Sequence, residues 1–240
     1  MKLLRVPLLL AVVSLVLLGL SGVGVRLGWW PYAFGFTLLR WVVGIGSAAA
    51  VLALVGLALP KGRSAALPSL LLSIVIGAAA AWMPWQMAQQ AKSLPRIHDI
   101  STDLDNPPAF VAVLPLRANA ANPATYGGAE IASAQRSAYP DIQPLILAAP
   151  LTDVFAAALA EAKKMDWEIV GQDPQQGRIE ATATTFWFGF KDDIVVRIAE
   201  VNGKTRVDVR SVSRVGKSDI GKNAARIRSY LGALAQAVKK

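Results

Sequence analysis

The sequence predicts three transmembrane helices followed by an α+β domain: an antiparallel four-stranded sheet with helices on one face, in the order α-β-β-β-β-α. Three observations predict it. The first 92 residues contain three runs of roughly 20 mostly apolar residues, the length that crosses a bilayer at about 1.5 Å per residue. All 16 acidic residues fall after residue 95, so only the later part has a surface suited to water. Residues 151–240 switch between helical and strand periodicity, and their turns carry specific turn residues.

The spans are about 6–25, 41–59 and 67–85, within a membrane anchor covering 1–92. Each is too uniformly apolar for a single amphipathic stripe, the mark of an element apolar on all sides. Lys2 and Arg5 precede the first run as in a signal peptide. Its apolar core is longer than the usual stretch of about 7–15 residues, and Ser21-Gly22-Val23-Gly24 makes a poor cleavage site, so a retained helix is expected. The chain has no cysteine, which excludes a lipoprotein anchor and disulfides. No span carries a central Asp, Glu, Lys or His, the marker of an ion or proton route, so a transport path is not expected. Small residues at Gly44, Gly46, Ser47 and Ala48 permit close helix packing.

The net charge of +9 does not point to nucleic acid. Seven of the 25 Lys and Arg (Lys2, Arg5, Arg26, Arg40, Lys61, Arg63 and Lys92) flank the spans, and the other 18 share the later region with all 16 acids. That distribution lacks the concentrated basic footprint of a nucleic-acid binder. Lys2, Arg5 and the turn Pro60-Lys61-Gly62-Arg63-Ser64 favour the cytoplasmic side, while the loop from Arg26 to Arg40 carries interfacial Trp29, Trp30 and Tyr32. Three spans with the N-terminus inside place the remainder outside the cytoplasm, in the periplasm of a bacterial inner membrane.

Residues 93–150 have no lasting apolar period and many prolines. Yet Phe110, Val111, Val113, Leu114, Leu116, Tyr139 and Leu145-Ile146-Leu147 are too apolar for a solvated tether. An extended segment packed on the following domain is expected. In 151–240, Val154, Phe155, Ala158, Leu159, Ala162 and Met165 keep helical spacing behind Thr152 and Asp153. Trp167–Val170 reads as a short strand, and Gln175-Gln176-Gly177 turns into a second over Arg178–Phe188. Ile194, Val196 and Ile198 alternate in a third strand, and Asn202-Gly203 signals a hairpin into Thr205–Val215. In that fourth strand Val207 and Val209 point inward, with Arg206, Asp208 and Arg210 outward. A last helix opens near Ser218 and Asp219, with Ile220, Ala224, Ile227, Leu231, Leu234 and Val238 on one face. In Phe186-Trp187-Phe188-Gly189-Phe190, alternation sends the three Phe into the core and Trp187 to an edge; the other reading is an exposed patch that meets lipid or a partner.

Several ordered motifs together resemble one family. They are His98-Asp99-Ile100-Ser101-Thr102-Asp103 followed by Pro107-Pro108-x-Phe110; Ala138-Tyr139-Pro140-Asp141-Ile142-x-Pro144-Leu145; Ile179-Glu180-Ala181-x-x-x-Thr185; and Arg210-Ser211-x-Ser213-Arg214-x-Gly216-x-Ser218-Asp219-x-Gly221-x-Asn223-Ala224-x-Arg226-Ile227. Over about residues 95–235 the chain resembles the DUF1499 family, a domain of unknown function. The resemblance implies an envelope or plastid-type extracytoplasmic setting and supplies no activity.

Two constellations carry candidate chemistry. His98, the single histidine, with Asp99 and Asp103, fits a divalent-metal or acid–base site. The same residues also serve turns, where Asp and Ser or Thr side chains bond nearby N–H groups. Asp103-x-Asp105-Asn106 begins like a calcium loop but lacks its glycine and closing glutamate. The second constellation is Arg210, Ser213, Arg214, Lys217, Ser218, Asp219, Asn223 and Arg226, leading into a helix N-terminus. It reads either as an anion site, in which Arg210, Arg214, Ser218, Asp219, Asn223 and Arg226 bind ligand, or as an ordinary cap with Arg214 paired to Asp103 or Asp141.

The resulting expectation is a membrane-anchored envelope protein whose periplasmic domain is a non-catalytic binding or scaffold module. Its partners are the lipid bilayer and an envelope protein or small anionic ligand, without nucleic acid. The alternative is a metal-assisted or hydrolytic enzyme centred on His98, Asp99 and Asp103. No cofactor is expected beyond a divalent metal under that alternative.

Overall fold

The structure, a computed structural model, describes residues 5–59 and 63–239. Lys2 and the turn residues Pro60, Lys61 and Gly62, on which part of the expected orientation rests, lie outside the described residues. The chain forms two compact units: the N-terminal helices with Phe186–Gly189, and Ser93–Thr185 with the residues from Phe190 onward.

The first unit holds α1 (Val6–Arg26), α2 (Tyr32–Ala58) and α3 (Arg63–Ser93), all three long and apolar enough to cross a membrane. α2 begins at Tyr32 rather than at Trp41, directly after Pro31 in an extended conformation (ψ 155°). It therefore takes in aromatic residues that composition assigns to a loop. Pro68 and Pro84 lie inside α3. Small residues bring α2 and α3 together: a Cβ on Gly46 would stand 2.6 Å from the Gly77 carbonyl oxygen, and the reverse is also true. Such close backbone approach is how helices gain contact where lipid offers no hydrophobic driving force.

The second unit contains β1 (Asp99–Ser101), a 3-10 turn (Pro115–Arg117), α4 (Gly128–Ala138), β2 (Leu145–Leu147), α5 (Leu151–Lys164), β3 (Glu168–Asp173), β4 (Arg178–Thr184), β5 (Lys191–Val201), β6 (Lys204–Ser213) and α6 (Lys222–Ala237). The expected α-β-β-β-β-α order is present as α5 to α6. The sheet, however, has six strands and not four, in the order β1-β6-β5-β4-β3 with β2 also on β6, and every pairing is antiparallel. The two extra strands come from the segment read as irregular. Each is three residues long, too short for an alternating pattern to register, and each forms because β6 offers a free edge. α4 also lies within that segment.

One face of the sheet carries Ile179, Ala181, Ile194, Val196, Ile198, Val207 and Val209 against Val154, Phe155 and Ala158 of α5 and Ala224, Ile227 and Leu234 of α6. Trp167 stacks on Tyr230 at 4.8 Å, and the Tyr230 hydroxyl donates to Ala158 O at 2.9 Å. Asn202 and Gly203 both take positive φ, 52° and 71°, as a type I′ hairpin turn requires. Gly177 also has positive φ, and a Cβ there would collide with the Ile198 carbonyl oxygen.

β4 stops at Thr184 instead of running to Phe188. Thr185 and Phe190 close the neck of the turn by two hydrogen bonds, Thr185 N to Phe190 O and Phe190 N to Thr185 Oγ1, each 2.8 Å. Strand alternation therefore does not hold there: Phe188 is buried, whereas Phe186 is 91% exposed.

Candidate functional site

The opposite face of the sheet is charged, and it is covered. Strand register lines up Thr182, Asp193, Val212 and Asp99 in one row, Glu180, Val195, Arg210 and Ser101 in the next, then Arg178, Arg197 and Asp208. Residues 102–124 lie over these rows, with Phe110 and Val113 packed on Val195 and Val212. A layer of carboxylates is thereby largely taken out of water together with Arg117 and Arg210, while Arg178 and Arg197 stay partly exposed at its margin, and each of these charges is met by a partner.

Asp99, placed by β1, accepts from both edges of Arg210: Nε to Oδ1 at 2.9 Å and Nη2 to Oδ2 at 2.8 Å. The two side chains are 5% and 3% exposed. Arg210 also donates to Pro108 O and Ala124 O, and its guanidinium lies 5.2 Å from the Phe110 ring centroid and 5.3 Å from that of Tyr126. One β6 residue thus fixes the covering segment at three points. Burial, with the Asp99 charge nearby, pushes the Tyr126 hydroxyl up to about 12.

Asp193 on β5 holds a second cluster. It accepts from Arg117 (2.6 Å), from Arg214 through two nitrogens (2.9 and 2.8 Å) and from the Thr182 hydroxyl (2.6 Å). Burial alone would raise its carboxyl, but hydrogen bonds from Arg214, Thr182 and Arg117 outweigh that and hold it below the usual carboxylate range. Glu180 on β4 accepts the backbone N–H groups of Val111, Ala112 and Val113, all at 3.0 Å, and faces Arg178 Nε at 3.2 Å. It serves as an internal anion at the start of the turn that leads into Pro115–Arg117, the role an external anion plays at a helix N-terminus.

Asp103 forms an Asx turn, accepting from Asp105 N and Asn106 N through Oδ1, while Oδ2 takes Arg197 and Arg206 at 2.8 and 2.9 Å. Burial would raise its carboxyl, yet the Asn106 N–H and the two guanidinium groups bring it below its ordinary value. Asp208 joins the same two arginines and Thr102. Arg214 therefore pairs with Asp193, and neither Asp103 nor Asp141 is its partner; Asp141 pairs with Arg228.

His98, Asp99 and Asp103 are not brought together as a donor set. Both Asp99 oxygens face Arg210, and Asp103 is held by its turn and two arginines. The His98 carbonyl accepts from Ser213 N and Asn223 Nδ2, each at 3.0 Å, and its Nδ1 is buried with no hydrogen-bond partner. Among the described residues, no three His, Cys, Asp or Glu side chains gather to hold a metal ion.

The second constellation divides between the faces. Arg210 and Arg214 belong to the covered layer. Asn223 and Arg226 instead meet Ser211 and Ser213 at the start of α6, where Arg226 donates to Asp192 at 2.6 Å and to Ser211 Oγ at 3.1 Å. Gly221 (φ 74°) occupies the N-cap position. The cap itself comes from Asp219, which accepts from Gly221 N and Asn223 N at 2.8 Å, with Ser218 Oγ accepting Ile220 N. Burial raises the Asp219 carboxyl, opposed in part by those two N–H groups. Lys217 is exposed.

Sequence reasoning missed Glu180, Asp193, Arg117, Arg197 and Asp208. Alternation puts the four strand residues among them on the outward face; the signal that this face is buried is Phe110 and Val113 in the preceding segment. Two shallow concavities, of about 390 and 250 Å3, open at the surface: one beside Pro150, Glu200 and Lys204, the other beside Pro107, Arg178 and Arg197.

A family model described as a protein of unknown function, DUF1499, matches residues 99–234. That span begins with Asp99 of the Asp99–Arg210 pair and ends in α6. No curated protein matches the chain.

Proposed function

Because the chain belongs to the DUF1499 family, whose function is unknown, we propose that it is a membrane-anchored, non-catalytic binding or scaffold module of the cell envelope. The observation that carries this reading is the mutual pairing of the charged side chains. Asp99 is held by one arginine, and Asp193 and Asp103 by two each, so none is poised to take a proton from a substrate. General acid–base chemistry needs a group within hydrogen-bond reach of the reacting atom. An envelope protein is favoured as partner over a small anion, since Arg210, Arg214 and Arg226 already hold carboxylates.

The compartment follows from the charges around the helices. Lys2, Arg5, Lys61 and Arg63 favour an internal N-terminus, which with three spans supports a periplasmic second unit on a bacterial inner membrane. The chain has no native cysteine, so a Lys239→Cys variant reports one site to a membrane-impermeant maleimide in intact cells. Labelling before lysis supports the periplasmic placement; labelling only after lysis overturns it. The enzymatic alternative is tested on the full chain by metal content and thermal melting, wild type against His98→Ala. A stoichiometric metal whose stabilisation is lost in the variant would overturn the non-catalytic reading, and simple destabilisation without metal supports it.

A further inference from the structure

Phe186 is 91% exposed, above every other exposed large apolar side chain among the described residues, the lipid-length helices included. A single Phe at a turn is costly in water, and the turn does not need one, because its neck is closed by Thr185 and Phe190. Its neighbours explain it. Arg26, the last residue of α1, donates to the Phe186 carbonyl oxygen and lies 5.8 Å from the Phe186 ring centroid. The Trp187 indole N–H donates to Gly19 O at 3.3 Å, and the side-chain-free Gly22 leaves the space that the indole fills. The Phe188 ring lies 5.5 Å from that of Phe36 in α2.

These contacts fix a depth. α1 ends at Arg26 and α2 begins at Tyr32, so a spanning pair has its water boundary there. Gly19 lies seven residues before Arg26, roughly 10 Å further along the helix axis at 1.5 Å per residue. Trp29 (60% exposed), Phe34 (46%) and Tyr32 (37%) surround the same end, the composition of an interfacial belt. Residues 186–190 carry no charge. We propose that the turn Phe186–Gly189 is a lipid-contacting element, with Phe186 seated in the headgroup–acyl boundary of the bilayer beside the ends of α1 and α2. Lipid is the occupant, and a protein is not, for two reasons. The side chain stands at the end of an exposed apolar span, beside Arg26 of α1, and one Phe offers about 150–250 Å2, far below the roughly 1,200 Å2 of a stable protein interface.

The proposal rests on the reading of α1 to α3 as spans, and its test separates the two. Single cysteines replace Phe186, Val16 (52% exposed in the middle of α1) and Asn202 at the β5–β6 hairpin. Each is labelled with an environment-sensitive fluorophore in the full chain, reconstituted into phosphatidylcholine–phosphatidylglycerol vesicles. Quenching is read with nitroxide-bearing lipid and with aqueous iodide. The expected result is that the 186 label loses emission to the nitroxide lipid as the Val16 label does and resists iodide, while the Asn202 label does the reverse. A 186 label that follows Asn202 overturns the proposal and leaves the spans intact. Protection from both quenchers also overturns it, because the side chain is then covered by protein. A Val16 label untouched by nitroxide lipid overturns the spanning helices and the proposal together. Substitution at so exposed a side chain leaves folding intact, which thermal melting verifies.

Discussion

Removing the Glu180 carboxylate tests whether the covering segment is held by a buried anion. Glu180→Ala strips the acceptor from three backbone N–H groups, at Val111, Ala112 and Val113, and leaves Arg178 without its 3.2 Å partner. Each orphaned donor costs about 1–3 kcal/mol when it stays dry. Val111 is half exposed and Arg178 is 23% exposed, so water recovers part of that cost. The net loss is about 3–5 kcal/mol, the range for breaking a buried charged pair by removing one member. Glu180→Gln keeps the shape and one acceptor oxygen but turns an amide NH2 toward the N–H groups, so its loss lies between wild type and alanine. Hydrogen exchange of the full chain in nanodiscs reads the effect at the amides concerned: 111–113 should exchange faster by about tenfold for each 1.4 kcal/mol lost. Unchanged protection at those three amides in Glu180→Ala would refute the reasoning, whatever happened to the melting temperature.

Other predictions concern the remaining clusters. Arg210→Lys keeps the charge but loses the two-pronged hold on Asp99 and the contacts to Pro108 O and Ala124 O, so thermal unfolding should reveal a loss of about 2–4 kcal/mol. The folded carboxyls of Asp103 and Asp193 lie below their ordinary value. The stability they contribute is therefore present above the unfolded value of about 3.9 and lost as pH falls through the lower folded values. Urea midpoints followed into acid should decline less steeply in Asp193→Asn. Asp219 has the opposite sign: its raised carboxyl contributes stability below the unfolded value that is lost as pH rises through the folded one. Asp219→Asn keeps an acceptor for the helix cap, and its urea midpoints should lack that decline on the way to neutrality. Gly177→Ala forces a Cβ toward the Ile198 carbonyl at φ 59° and should destabilise the chain by more than about 1 kcal/mol in the same unfolding assay.

α5, α6 and the four long strands were legible because burial on one face writes a period into the sequence, and α1 to α3 were legible from the length of their apolar runs, whereas α4 was not. Ile194, Val196 and Ile198 declare an inward face wherever their partners lie, and Asn202-Gly203 fixes its hairpin locally. β1 and β2 have no such signature, since three residues complete no pattern and their existence depends on the edge of β6. The covered layer was hidden for a related reason. Asp193, Arg197 and Arg210 look like solvent-facing positions along their own strands, and only a segment about 70 to 110 residues earlier makes them interior. The Phe186–Phe190 run misled because aromatic residues favour strands, whereas Gly189, at φ 68°, ends the alternation in a turn.

The Gln135 side chain pairs with Ser101 as a strand residue would, accepting from Ser101 N at 2.9 Å and donating to Ser101 O at 2.7 Å. A sheet that ends in unpaired N–H and C=O groups is a template on which another chain can add. Here one amide side chain from α4 occupies the C-terminal end of the β1 edge, at Ser101. At the far side of the sheet, β3 carries an irregularity between Ile169 and Gly171 that breaks the regular ladder. The β1 and β3 margins are therefore poorer seeds for strand addition than regular, unpaired strand edges would be.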